Sequence, residues 1–257
     1  MRFDIITIFP DMFSAPLSQS ILGKAQREGI IEIHIHNLRD FTSDPHKTVD
    51  DYPYGGGAGM VFKVEPLYKA IKSIEKKSVR PSKIISMSPQ GKIFNQEKAG
   101  ELAREDRIII ICGHYEGIDE RIYSLFPIEE ISVGDYIVTG GELPAMLLVD
   151  AVSRMIPKVL GNEDSLLSES FNRGLLDYPH FTRPREFMGK KVPDVLLSGN
   201  HKEIDRWRKT QSIIRTLLRR PELLKFAKLS DQERVILREI EQKLEEEVSY
   251  ARNNKRN

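Results

Sequence analysis

Arg107–Cys112 reads RIIIIC, and the chain runs straight from it into CGHYEGIDER, Cys112–Arg121. A short, unbroken apolar run is what a strand covered on both faces requires, as at the centre of a parallel sheet. The glycine that follows supplies the turn by which the chain leaves the sheet. Working outward, Lys83–Met87 has the same character and opens into SPQG, Ser88–Gly91. Phe3–Phe9 is apolar and stopped by Pro10, and Ile31–His36 alternates apolar and polar residues like a half-buried strand. Helix-like stretches lie near Ser14–Glu28, Val64–Lys77 and Asn95–Glu105, and another runs from Pro144 to about Met155, before Pro157. This alternation predicts an α/β fold with a largely parallel sheet.

A third glycine-bearing turn lies in SVGDYIVTGGELPAM, Ser132–Met146. Each of the three turns falls where a parallel strand should end, and ligands of open α/β sheets collect at that edge. One such turn alone is more often structural, but three from neighbouring strands can surround a small molecule with backbone N–H and C=O groups. The loop DYPYGGGAGM, Asp51–Met60, is neither a dinucleotide fingerprint nor a phosphate-binding P-loop, because both spacings are absent. By itself it reads as a surface loop or a close approach to a ligand. His34 and His36 share a strand face without a Cys or carboxylate partner close in sequence, so no metal site is expected and they read as solvent-facing. Cys112 ends a buried run and reads as an inert core thiol.

Residues 158–172, KVLGNEDSLLSESFN, break the rhythm with polar and acidic residues. The predicted organisation is an α/β domain over 1–160, a flexible linker over 161–172 and a helical domain over 173–257. In the last of these, Trp207, Ile214 and Leu218 share one helix face and Arg208, Arg215 and Arg219 another. Ser230 and Glu233 have capping-box spacing before Leu237, Ile240, Leu244 and Val248. The net charge of +1 conceals a division. Residues 173–257 hold 20 Lys and Arg against 13 Asp and Glu, while 1–172 hold 19 against 25. A basic module carried by a more acidic body points to a polyanionic partner. No apolar run approaches the roughly 20 residues of a membrane helix, and MRFDIITIFPDMF reads as a first strand and not as a signal peptide. A single cysteine fits a reducing, cytoplasmic setting.

At these same segments the chain resembles a known family. SPQG, CGHYEGIDER, GDYIVTGGELPAM, GLLDYPHFTRP (Gly174–Pro184), VLLSGNH (Val195–His201), the opening ITIFP and the loop YGGGAGM are similar, in order, to the bacterial tRNA (guanine-N1)-methyltransferases, the TrmD family of the SPOUT superfamily. The resemblance spans nearly the whole chain. It implies a deep trefoil knot in the α/β domain, a small all-α C-terminal domain, and a homodimer with a shared active site. It implies S-adenosylmethionine as methyl donor, and tRNA rather than DNA or a membrane as partner, with methylation at N1 of guanine 37.

The cofactor positions that match are Ser88, Pro89, Gly113, Tyr115, Glu116, Ser132, Val133, Gly134, Asp135, Tyr136, Ile137, Val138, Gly140 and Gly141. By the same resemblance Arg154, in AVSRMIP, and Glu169, in SESF, are catalytic, with Asp177 a second acidic candidate. The family pattern has aspartate where this chain has Glu169, which keeps the carboxylate and adds one methylene of reach. Arg208, Arg215 and Arg219 are the expected RNA-phosphate contacts, and Trp207 reads as core. Mg²⁺ is a cofactor that the family implies, without a dedicated site in this sequence. The rival readings are a superfamily methyltransferase with another RNA target, a non-enzymatic RNA-binding protein, and a phosphate-binding α/β enzyme.

Overall fold

The computed structural model describes residues 1–76, 81–161 and 169–254. The chain divides into two compact units, Met1–Glu163 and Asp164–Asn257. Lys77, the linker residues 162–168, the Val248 side chain and the end of the tail lie outside what is described, and the expectations placed on them go no further here.

The first unit is built on a parallel sheet of β1 (Arg2–Thr7), β2 (Glu32–Asn37), β5 (Lys83–Ile93), β6 (Arg107–Cys112) and β7 (Ile128–Ser132), in the order β2-β1-β6-β5-β7. The predicted α/β class and parallel sheet are what the structure contains. β6 is the central strand and is buried along its whole length. Its alternate residues feed two separate cores, which is why the run can be continuously apolar. Ile108, Ile110 and Cys112 pack with helices α2 (Ser20–Arg27), α4 (Gln96–Leu102) and α6 (Glu142–Arg154). Ile109 and Ile111 pack on the other side with α3 (Val64–Glu75) and α5 (Arg121–Leu125).

Two expectations change in detail. The stretch Ser14–Glu28 is not one helix: α1 (Ser14–Ser18) ends and α2 begins at Ser20, whose φ of +51° breaks the path. His36 does not face solvent. Its Nε2 lies 2.7 Å from Oδ1 of Asp4, a fully buried carboxylate on β1. Asp4 also accepts from Arg2 Nε and Nη2, both at 2.9 Å, and from Arg107 Nε at 2.7 Å. Burial alone would push this carboxyl up. The hydrogen bonds from His36, Arg2 and Arg107 outweigh it and hold the group well below the usual carboxylate range. Asp4, Arg107 and His36 are far apart in sequence, so only strand pairing brings them together. His34, by contrast, is exposed beside Glu32.

The second unit is carried by α7 (His201–Arg219) and α8 (Asp231–Asn254), and a short antiparallel ribbon of β8 (Glu186–Phe187) and β9 (Lys190–Lys191) adds to the expected helical content. Its core is small: Leu175, Ile213 and Ile236, with Leu237 and Ile240 packed against them. The expected apolar face of α7 is not the buried one. Ile213 and Thr216 are buried, whereas Leu218 is 72% exposed and Trp207 is half-buried outside that core, against Phe181. The segment around Leu175 packs along α7 and selects the 213/216 edge, a choice that helical spacing alone does not contain. The capping box forms as predicted, with Glu233 Oε2 accepting from Ser230 N–H at 2.8 Å and from its hydroxyl at 2.7 Å. The buried Glu233 also pairs with Arg173 at 2.7 Å.

Candidate active site

An irregular stretch inside β5 and the turns after β6 and β7 meet in one cleft of about 450 Å³ in the first unit, the expected turn at Ser88–Gly91 being taken up within a strand that runs on to Ile93. The first begins where β5 slips its register: Met87 and Lys92 both stand opposite Ile131, so Ser88–Gly91 loops out of the ladder. A Cβ on Gly91 would lie 2.3 Å from the carbonyl carbon of Glu130, which is why the chain can return so tightly only at glycine. The second turn, Gly113–Ile118, carries Tyr115 at φ +59°. The third, Ser132–Gly141, is tied to the second. Gly141 N–H donates to the Gly113 carbonyl at 2.8 Å, and His114 bridges to Gly140. Pro144, in the first turn of α6, adds to the cleft wall.

The cleft is acidic. Glu116, Glu120 and Glu130 line it, and no lysine or arginine is among its lining residues. Tyr123, on α5, places its hydroxyl 3.3 Å from Ser86 Oγ. Burial pushes this phenol up, the Ser86 bond opposes, and the charges of Glu130 and Glu120 add to the rise. Burial and a hydrogen bond to Asp50 push the Tyr115 phenol up as well. Near the turns, the buried Glu142 accepts the Thr7 hydroxyl at 2.8 Å. Cys112 is buried, and burial followed by the charge of Glu142 pushes its thiol well up, as an inert core thiol requires. Among the described residues no group of three or more His, Cys, Asp or Glu is arranged to hold a metal. No helix among them is long and apolar enough to cross a membrane.

The glycine loop at 51–60 packs against the second turn at Glu116, although none of its residues lines the cleft. Glu116 N–H donates to the Met60 carbonyl and Phe62 N–H to that of Gly117, each at 3.0 Å. A Cβ on Gly59 would sit 2.5 Å from the Glu116 carboxylate, so glycine lets the loop close onto that side chain.

The sequence profile described as tRNA (Guanine-1)-methyltransferase TrmD matches residues 1–226. The chain belongs to this family. A Dictyoglomus turgidum protein named tRNA (guanine-N(1)-)-methyltransferase is 54% identical over 248 residues, covering 96% of this chain and 100% of that protein. Proteins of the same name from Pelotomaculum thermopropionicum and Carboxydothermus hydrogenoformans are 56% and 57% identical. The first covers 93% of this chain and 96% of the relative, the second 92% of each.

In this TrmD-family chain every expected cofactor residue lines the cleft except Asp135, whose side chain is exposed on the third turn. Sequence reasoning missed Gln90, Ile118, Glu120, Tyr123 and Glu130, which also line it. Glu130 had as its signal only its place near the end of β7, since its neighbour Ile131, on the other side of the strand, lines the cleft as well. Tyr123 had none, since it reaches the cleft from a helix outside the three turns. Arg154 is the last residue of α6 and belongs to the first unit, while Glu169 and Asp177 belong to the second. Both Asp177 carboxylate oxygens are engaged: Oδ1 accepts Tyr178 N–H, and Oδ2 lies beside His180 Nε2, each at 2.8 Å. Arg208 lies over the Tyr178 ring at 5.0 Å, Arg219 is exposed and Arg215 half-buried.

Proposed function

We propose that this chain transfers the methyl group of S-adenosylmethionine to N1 of guanine 37 in tRNA, beside the anticodon. The observation that carries the reading is the convergence of three glycine-bearing segments of the sheet on one cleft, in a chain whose relatives are named tRNA (guanine-N(1)-)-methyltransferase.

The residues present fit the donor. Backbone-rich turns suit the many polar atoms of a nucleoside, and three carboxylates without a lysine or arginine suit a cationic sulfonium. The same lining repels phosphate and argues against the phosphate-binding rival. When bound, S-adenosylmethionine supplies a methyl group that its sulfonium already activates.

The chain's own residues must then make guanine N1 a nucleophile. That nitrogen carries a proton, and as the proton leaves, negative charge gathers towards O6. In our reading Glu169 takes the proton as general base and Arg154 donates to the developing charge at O6. Asp177 is the second acidic group that helps read or deprotonate the guanine, and Arg208, Arg215 and Arg219 meet the RNA backbone. The working form is a cytoplasmic homodimer whose α/β domain carries a trefoil knot at the cofactor turns. Mg²⁺ is given no protein site in this reading.

The test is methyl transfer to an unmodified tRNA with G37, set against the same transcript with A37. Only the first should gain an N1-methylated purine. Glu169→Gln and Arg154→Ala should each lose most of the transfer while still binding the donor by calorimetry. A chain that binds donor and tRNA yet leaves N1 of G37 bare refutes the proposal.

A further inference from the structure

The segment Leu175–Phe181 of the second unit is held firmly against α7. Leu175 is buried in the core, Leu176 N–H donates to Thr216 Oγ1 at 2.9 Å, and the Ser212 hydroxyl donates to the Leu176 carbonyl. Asp177 N–H donates to Ser170 Oγ at 2.9 Å. From this fixed base the chain presents a row of planar groups. The Tyr178 and His180 rings lie 4.7 Å apart at 46°, and the Arg208 guanidinium lies 5.0 Å from the Tyr178 centroid. Asp177 fixes the row from below by accepting both Tyr178 N–H and the His180 ring nitrogen. A second ring pair, Phe181 and Trp207, joins the same segment to α7 with centroids 6.2 Å apart. The His180 side chain is 65% exposed and Phe181 47%, so these faces meet solvent and not a core.

We propose that Tyr178, His180 and Arg208 form a stacking platform for an unpaired nucleobase of the bound RNA. The inference rests on the RNA substrate proposed above and adds where a base is gripped and by what chemistry. Unstacked bases are recognised on aromatic faces and guanidinium planes, and here the exposed Arg208 guanidinium lies over the half-buried Tyr178 ring with the exposed His180 ring packed beside it. The excess of basic over acidic residues in 173–257 supplies attraction to the backbone. Arg208 therefore acts here as a plane as well as a charge, a role that lysine cannot fill.

Trp207 is the chain's single tryptophan, so its fluorescence reports on this surface without labelling. The full chain is titrated with an unmodified tRNA transcript, and separately with S-adenosylmethionine. Tyr178→Ala and Arg208→Lys should each weaken tRNA binding about fivefold or more. Tyr178→Phe, which keeps the ring, should stay within about twofold of wild type. The salt dependence of tRNA affinity should be unchanged in Tyr178→Ala and Arg208→Lys, since neither removes a charge. Donor affinity should not move. Should Tyr178→Ala unfold, the exposed Arg208→Lys still decides the matter. Wild-type tRNA affinity in Arg208→Lys or in a folded Tyr178→Ala overturns the inference alone. A wild-type chain that binds donor but no tRNA overturns the proposed function with it.

Discussion

Replacing Gly141 with alanine should loosen the cleft by crowding the backbone that lines it. Gly141 has φ −76° and ψ −4°, a conformation open to any residue, so alanine meets no backbone penalty there. The objection is steric. A Cβ at this position lies 2.7 Å from Cys112 Cα and 3.0 Å from Gly113 N. Carbon atoms pack at about 3.5–4.0 Å, so roughly 1 Å must be found. The obstructing atoms are backbone at the end of a fully buried strand and cannot rotate away. The third turn must retreat, which strains the Gly141 N–H to Gly113 C=O bond that ties it to the second. Overpacking of this kind costs about 1–3 kcal/mol, and the weakened hydrogen bond about 1 kcal/mol more. Because both turns line the cleft, donor affinity should fall at least about tenfold. Gly100→Ala is the control. Its Cβ would stand at an ordinary 3.5 Å from Met155 Cε inside α4, so it should stabilise by about 0.5–1 kcal/mol and leave the donor site alone. Urea unfolding and calorimetric titration with S-adenosylmethionine measure both quantities. Unchanged unfolding and unchanged donor affinity in Gly141→Ala would refute the steric argument.

Asp4→Asn removes the anion that Arg107, Arg2 and His36 share, and stranding the buried Arg107 guanidinium should cost about 3–5 kcal/mol at pH 7, read from the unfolding midpoint. Since the folded carboxyl is held below its ordinary range, its contribution is complete at neutral pH and is lost as pH falls through that depressed value. The variant should therefore show a shallower acid limb, and an identical limb would count against the cluster's role. Native Cys112 should resist iodoacetamide and react only on unfolding, because its thiol is buried and pushed well up. Rapid labelling of the folded chain would contradict that burial.

Part of this protein is written in its local sequence. RIIIIC can be a two-faced central strand because Ile108 and Ile110 serve one core and Ile109 and Ile111 the other. The glycine turns after Met87, Cys112 and Ser132 are legible for the same reason: periodicity and turn chemistry depend on residues a few positions apart. Ser230 and Glu233 belong to the same class, since a capping box closes within one helical turn. What tertiary structure decided is company. Strand order β2-β1-β6-β5-β7 brings Asp4 to Arg107 and His36, turning an expected solvent-facing histidine into a partner of a buried carboxylate. Packing brings Tyr123 and Glu130 into the cleft and sets the end of the glycine loop against Glu116. It also hides Ile213 in place of Leu218 and leaves Tyr178 beside Arg208. Such pairings join residues tens of positions apart, and their free energy arises only when the whole sheet or helix pair has closed, so no local pattern in the chain encodes them.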